Sequence, residues 1–106
     1  MGIGNTTTSA ALACILLDMN PGEVTGRGAG LSDEGLLKKT EVIRKAKEMY
    51  GIYKNDPLEL LRCIGGLDVA GLTGVYIGGA VYRLPVVVDG VISAVAALIA
   101  VRLCPV

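Results

Sequence analysis

The feature that most constrains this chain is the stretch Met1–Ser9, where a glycine-rich turn runs through hydroxyl residues into an apolar segment. Gly2 and Gly4 let the backbone turn tightly and approach a ligand closely. Asn5 and the threonines after it are suited to cap a buried helix over residues 10–17. The N–H groups and dipole at such a helix start favour a phosphate or a carboxylate. The sequence therefore predicts an anion site here, with a simple tight turn as the alternative.

Two features suggest that the chain is incomplete: the position of its first glycine loop and the distribution of its charged residues. A ligand-binding loop normally follows a strand, so we expect either a piece of a larger enzyme or a frayed end at Met1. With 106 residues the chain is at most one domain. Charged residues are dense from Arg27 to Arg62, and after Cys63 only four remain: Asp68, Arg83, Asp89 and Arg102. We expect the C-terminal half to be interior, needing a missing remainder or a second subunit to cover its apolar surface.

Composition argues against several classes of function. The formal net charge is zero, so nothing draws the chain towards nucleic acid or acidic lipid. The apolar run 91–101 is shorter than the ~20 residues of a membrane span, which favours a buried helix. The sequence has no His and no Cys-x-x-Cys pair, which argues against zinc. Cys14, Cys63 and Cys104 are predicted to be buried, reduced thiols of a cytoplasmic protein.

A long amphipathic helix is predicted after Ser32, ending near Tyr50 at Gly51. Its solvated, salt-bridged face consists of Lys38, Glu41, Lys45 and Glu48. Its apolar stripe consists of Leu36, Val42, Ile43, Ala46, Met49 and Tyr50. Lys39 falls on this stripe, where a cation must either snorkel to solvent or meet a partner such as a bound anion.

Three further helices and a strand are predicted from the second half. Asp56 and Pro57 mark a helix start, and Asp68 is predicted to cap the next helix, which ends near residue 82. The β-branched run Val86–Val88 predicts a fully buried strand, followed by a buried helix over 91–103, as in one strand–helix unit of a parallel sheet.

Two shorter segments leave alternatives open. Asp89 either forms the turn after the predicted strand or faces a ligand at the carboxyl end of that strand. Val24 and Thr25 suggest a short strand, although Pro21 is also suited to start a single helical turn.

The chemistry visible in the sequence is anion binding. A second glycine loop, Gly26–Gly30, joins the first loop and Lys39 in suggesting a phosphate cradle, although the first loop is not a Walker A motif. Tight turns between packed elements are the alternative for both loops. No His is available for a nucleophile triad, and no paired carboxylates stand in an apolar setting. The sequence thus indicates an anion-binding half-site without an evident catalytic base.

These features resemble one family in order and spacing over essentially all 106 residues. The family is nicotinate-nucleotide–dimethylbenzimidazole phosphoribosyltransferase, whose chains are about three times longer. The matching motifs are Gly2-Ile-Gly-Asn-Thr-Thr7, Gly26-Arg-Gly-Ala-Gly-Leu31, Lys39-Thr-Glu-Val-Ile-Arg44, Gly65-Gly-Leu-Asp-Val-Ala-Gly-Leu72 and Leu84-Pro-Val-Val-Val-Asp-Gly90.

The resemblance implies transfer of phosphoribose from nicotinate mononucleotide to 5,6-dimethylbenzimidazole, giving α-ribazole 5′-phosphate and nicotinate. It implies no metal and no cofactor, and a cytoplasmic homodimer. The implied fold class is α/β: part of a Rossmann-like three-layer domain with a parallel sheet, helix-rich in this fragment with few strands. Residues 1–106 would be a single incomplete domain, the nucleotide- and phosphate-binding part of the large α/β domain.

The resemblance also implies which residues bind. The nucleotide and its phosphate would be surrounded by Gly2, Gly4, Asn5, Thr6, Gly28, Ala29 and Lys39, and Met1 would lie near the base pocket. The family's acidic residue before Met1 and its general-base glutamate, expected beyond Val106, are missing from this sequence. We therefore expect negligible transferase activity from these residues alone. The alternatives are a non-catalytic nucleotide- or phosphate-binding module and a small helical assembly protein.

Overall fold

The architecture of the chain is a set of helices around one central helix. The computed structural model describes residues 5–24 and 32–104. The helices within these residues are α1 (Thr6–Leu16), α2 (Pro21–Val24), α3 (Asp33–Tyr50), α4 (Pro57–Ile64), α5 (Leu67–Val81) and α6 (Val91–Leu103), with a 3₁₀ turn at Gly51–Tyr53. None of the helices in these residues is long and apolar enough to cross a bilayer.

Helix α1 forms the centre of the core, as its sequence predicts. One side contributes Leu12, Ile15 and Leu16 to a cluster with residues of α4, α5 and α6, namely Leu60, Val69, Val95, Ala96 and Ile99. The other side places Ala10, Ala11 and Cys14 against Ile43 of α3. Each fully buried Leu or Ile side chain contributes about 1.5–3 kcal/mol relative to exposure. Burial of α1 therefore fixes the position of its N-terminus relative to α3.

Helix α3 has the predicted ends but a narrower buried face than predicted. Ser32 caps it by accepting a hydrogen bond from the Gly35 backbone N–H at 3.1 Å, and the helix ends at Gly51. Ile43 is fully buried, whereas Val42 and Met49 are 54% and 65% exposed. The predicted burial of these two residues is wrong, because in the described structure α3 packs mainly on α1 and α2 along one edge. The ion pairs on its outer face centre on Arg44, which binds Glu41 and Glu48.

The helix starts in the second half are set by local capping. Asp56 caps α4 through its side chain, which accepts from the Glu59 N–H, and Pro57 occupies the first turn, as predicted. The predicted cap of α5 is wrong: Gly66 holds that position, and Asp68 lies inside the first turn. Helix α6 begins at Val91 as predicted, and Ser93 Oγ accepts hydrogen bonds from the N–H groups of Asp89 and Gly90.

The segment predicted to be a buried strand forms no regular secondary structure. Among the described residues no strand is present, and Val86, Val87 and Val88 are 39%, 86% and 47% exposed. The predicted buried strand is wrong for this chain, because a strand needs a hydrogen-bonding neighbour. The predicted short strand over Val24 and Thr25 is also wrong at Val24, which is the last residue of α2, whereas Thr25 lies outside the described residues. Pro21 begins α2, as the alternative prediction had it.

The C-terminal half exposes apolar surface, as its composition predicts. Among the exposed residues are Leu67, Val75, Val81, Tyr82, Val91 and Val101. The predicted burial of all three thiols is correct only for Cys14, because Cys63 is half-buried and Cys104 is exposed; all three are free. Burial raises the pKa of the Cys14 thiol, whose Sγ donates to the Met19 carbonyl at 3.0 Å.

Candidate functional site

Lys39 points inward and contacts the first turn of α1. The side chain is 7% exposed, and its Nζ donates a hydrogen bond to Thr6 Oγ1 at 2.8 Å. The two residues are 33 positions apart, so the packing of α3 on α1 creates this contact. The predicted inward direction of Lys39 is confirmed. The structure thus brings a buried ammonium to a helix N-terminus, where N–H groups lack intrahelical acceptors.

Asn5 holds the N-cap position of α1, but its side chain makes no capping hydrogen bond. Its amide Nδ2 instead donates to Asp68 Oδ2 at 2.5 Å, which ties the start of α1 to the first turn of α5. This hydrogen bond holds the pKa of the Asp68 carboxyl below its ordinary value. The predicted side-chain cap from Asn5 is therefore wrong, and the residue fixes the orientation of the α1 N-terminus.

A cavity of about 570 Å³ opens beside Lys39. Its lining residues come from α1, α2, α3 and α6 and from the turn after α1: Thr6, Ser9, Ala10, Ala13, Leu17, Met19, Glu23, Val24, Lys39, Val91, Ala94, Val95 and Leu98. The polar residues Thr6, Ser9, Glu23 and Lys39 share the cavity with a mostly apolar wall. Such a cavity, largely apolar with a few polar groups, is typical of small-molecule sites.

The turn between α1 and α2 contacts α3 through Lys47. Lys47 Nζ donates to the Met19 carbonyl at 2.8 Å and lies 3.4 Å from Asp18 Oδ1. Asp18 adopts a left-handed backbone conformation with φ of 53°, as expected for a residue type that tolerates it in turns. These contacts place Glu23 and Val24 on the cavity wall.

Sequence reasoning missed Ser9 as a cavity residue. It is 1% exposed, lines the cavity, and its Oγ makes no hydrogen bond to any described residue. The available indication was weak, because Ser9 directly follows three threonines at the start of the helix and only the residues after it are apolar or Cys. Glu23 was also missed, and its sequence surroundings give no comparable indication.

The other predicted site residues lie outside the described residues. They are Met1, Gly2, Gly4, Gly28 and Ala29. Of the predicted site residues that are described, Thr6 and Lys39 are in direct contact, and Asn5 adjoins Thr6 at the helix start. Within residues 5–24 and 32–104, no three His, Cys, Asp or Glu side chains are grouped to hold a metal ion. One buried ammonium and adjacent hydroxyls suit an oxyanion such as phosphate.

Comparison with known proteins gives one consistent family. A family model described as phosphoribosyltransferase matches residues 1–106. The nicotinate-nucleotide–dimethylbenzimidazole phosphoribosyltransferases of Ruminiclostridium cellulolyticum and Acetivibrio thermocellus are 49% and 50% identical to the chain over 105 residues. Each alignment covers 99% of this chain and 30% of the relative. The chain therefore spans about a third of the length of these relatives.

A solved structure gives the same result in three dimensions. The crystal structure of CobT from Thermus thermophilus matches with a TM-score of 0.85 and 36% identity, covering 99% of this chain and 31% of that one. The helical arrangement around α1 is thus shared with a phosphoribosyltransferase. The sequence and structural matches agree, and this chain belongs to the nicotinate-nucleotide–dimethylbenzimidazole phosphoribosyltransferase family.

Proposed function

We propose that this chain is the nucleotide- and phosphate-binding part of a glycosyltransferase. The reaction moves phosphoribose from nicotinate mononucleotide to 5,6-dimethylbenzimidazole. A benzimidazole nitrogen forms a bond to the anomeric carbon, the bond to nicotinate breaks, and nicotinate leaves with the electron pair. The products are α-ribazole 5′-phosphate and nicotinate, and the proton lost by the benzimidazole passes to a base. Membership of the family supports this proposal, because the relatives carry this activity in their names.

The observation that carries the proposal is the buried Lys39 beside the N-terminus of α1. Its Nζ lies 2.8 Å from Thr6 Oγ1 and faces the same cavity as the first turn of the helix. An ammonium has three N–H donors, so Lys39 can bind an anion in addition to Thr6 Oγ1. A phosphate at this point would accept hydrogen bonds from Lys39 and from backbone N–H groups of α1. These groups would hold the ribose in place while its anomeric carbon reacts.

We extend the proposed site to the two glycine loops. Gly2 and Gly4 directly precede α1, and their backbone N–H groups would complete the phosphate cradle, with Met1 near the base pocket. Gly28 and Ala29 lie in the connection between α2 and α3. Support comes from Val24, the last described residue before that connection, which lines the cavity.

A binding experiment tests the phosphate site. Nicotinate mononucleotide is titrated into the chain by calorimetry, beside nicotinate riboside, which lacks the phosphate. Lys39→Ala is expected to weaken nucleotide binding at least about tenfold, since a hydrogen bond to a charged group contributes about 1.5–3 kcal/mol. Lys38→Ala is the matched control, because Lys38 is exposed on the same helix. Equal affinities for nucleotide and riboside would refute the phosphate site.

A chimera tests the transferase activity. The 105 matched residues replace the corresponding segment of the Ruminiclostridium cellulolyticum relative. The chimera is expected to form α-ribazole 5′-phosphate, and its Lys39→Ala variant is expected to be at least about tenfold slower. A chimera that folds and binds both substrates but gives no product would contradict the proposal.

We also propose that the chain belongs to a Rossmann-like three-layer α/β domain and works as a cytoplasmic homodimer. The exposed, β-branched segment at Val86–Val88 supports a sheet, because its backbone groups are suited to a neighbouring strand. Helix α5 supports self-association, since Leu67, Val75 and Val81 are 93%, 54% and 69% exposed. Sedimentation velocity of the chimera is expected to give a dimer, and a monomer at all concentrations would refute this part.

A further inference from the structure

Ser9 is a buried hydroxyl on a helix whose other buried residues are apolar or Cys. It is 1% exposed, and its Oγ makes no hydrogen bond to any residue in the described ranges. The other buried residues of α1 are Ala10, Ala11, Leu12, Cys14, Ile15 and Leu16. A buried polar group without a partner is costly, and nearly all such groups in native structures have one. We therefore expect Ser9 Oγ to form a hydrogen bond with a group other than the described residues.

The usual local partner of a helical serine is already engaged. A serine inside a helix commonly donates to the carbonyl four residues earlier, which here belongs to Asn5. That oxygen accepts a hydrogen bond from the Ser9 backbone N–H at 3.1 Å and another from Thr8 Oγ1 at 3.0 Å. Because a carbonyl oxygen has two lone pairs, little capacity remains for Ser9 Oγ. Ser9 Oγ–H is therefore available to donate a hydrogen bond to a group inside the cavity.

The cavity places Ser9 beside the proposed phosphate site. Ser9 follows Thr6 by three residues, so both side chains lie on the same face of α1, and both line the cavity with Lys39. Lys39 Nζ donates to Thr6 Oγ1, which leaves the Thr6 hydroxyl proton available as a donor. Two hydroxyl donors and one ammonium thus surround the same space. The carboxylate of Glu23 lines the same cavity from α2.

We propose that Ser9 Oγ–H donates a hydrogen bond to a phosphoryl oxygen of the bound nucleotide, next to Lys39 and Thr6. This inference rests on the proposed function, since it assigns Ser9 to the same site. The ligand class is a phosphate monoester, because its oxygens accept from several donors at once and carry the charge that Lys39 balances. In the free chain no described residue bonds to this hydroxyl, and the bound phosphate would supply its acceptor.

The test is a pair of measurements on Ser9→Ala. The variant is expected to bind nicotinate mononucleotide about tenfold more weakly than the wild type in calorimetry. Its melting temperature without ligand is expected to rise by about 4–8 °C, because a buried unsatisfied hydroxyl has been removed. Thr40→Val is the matched control: Thr40 Oγ1 donates to the Leu36 carbonyl and does not line the cavity. It should bind like the wild type.

The outcomes separate this inference from the proposed function. Unchanged affinity in Ser9→Ala, with binding still weakened in Lys39→Ala, would overturn the role of Ser9 and leave the phosphate site standing. It would mean that a buried water satisfies the hydroxyl. Absence of nucleotide binding in the folded wild type would overturn both. A more stable Ser9→Ala that binds more weakly, beside an unaffected Thr40→Val, would support the inference.

Discussion

Two identical substitutions in α5 are expected to change stability in opposite directions. A Cβ added at Gly79 would lie 2.7 Å from Val86 Cγ2 and 3.1 Å from the Leu84 carbonyl oxygen. A Cβ added at Gly74 would meet nothing within 4 Å. Gly79 is buried against the segment that follows α5, and its carbonyl accepts from the Leu84 N–H at 2.8 Å. Gly74 lies on the exposed face of the same helix.

The magnitudes follow from helix propensity and from crowding. Replacing glycine by alanine inside a helix stabilises it by roughly 0.5–1 kcal/mol, and Gly74→Ala should gain this in full. Gly79→Ala gains the same propensity but must displace Val86 and the Leu84 backbone. Overpacking of this kind costs typically about 1–3 kcal/mol. Gly79→Ala is therefore expected to lose between about 0 and 2.5 kcal/mol overall.

Urea and thermal denaturation followed by circular dichroism measure both variants. With about 4–8 °C per kcal/mol for a domain of this size, the melting temperatures should differ by roughly 4 °C or more, Gly74→Ala being the higher. Several protein concentrations separate stability from any self-association through the exposed face of α5. Equal stabilities, or a more stable Gly79→Ala, would refute the close packing of residues 84–86 on α5.

Three shorter predictions concern a thiol, a carboxyl and an arginine. Since Cys14 is buried with a raised pKa and Cys104 is exposed, iodoacetamide at about pH 8 should alkylate Cys104 and spare Cys14 until the chain unfolds; prompt labelling of Cys14 would contradict this. The lowered pKa of Asp68 means that its stabilising contribution is complete above its ordinary pKa of 3.8 and is lost as pH falls through the folded-state value. The difference in melting temperature between wild type and Asp68→Ala should therefore shrink below that pH, and a constant difference would argue against the Asn5 hydrogen bond. Arg102 donates to the Leu16 carbonyl at 3.0 Å, so Arg102→Met should cost about 1 kcal/mol in urea denaturation; an unchanged midpoint would show that this hydrogen bond does not contribute.

The sequence predicted most helix boundaries correctly. Ser32, Asp56 and Pro57 mark the starts of α3 and α4 because capping depends on residues within one turn. The inward direction of Lys39 also followed from its place on the helix, since helical periodicity determines which side chains share a face. The motifs of the resemblance identified the family, which the comparisons confirm.

The errors concern contacts between distant segments. Burial of Val86–Val88 required a neighbouring strand, and none lies beside it among the described residues. Asn5 was expected to cap its own helix through its amide oxygen, but packing of α5 orients the side chain so that its Nδ2 donates to the Asp68 carboxylate and no capping hydrogen bond forms. Both outcomes depend on contacts with residues far away in the sequence, so local sequence patterns could not predict them.

The amino-acid sequence by itself determined most of the helices and their ends and indicated the family, because caps, glycines and periodicity act over a few neighbouring residues. The tertiary structure decided that Lys39 contacts Thr6, that Ser9 is buried beside them, and that a cavity lies between α1, α2, α3 and α6. Each of these features depends on contacts between helices that are far apart in the sequence. They arise only when α1 is buried, because its burial brings a cation and two hydroxyls to one wall of the cavity.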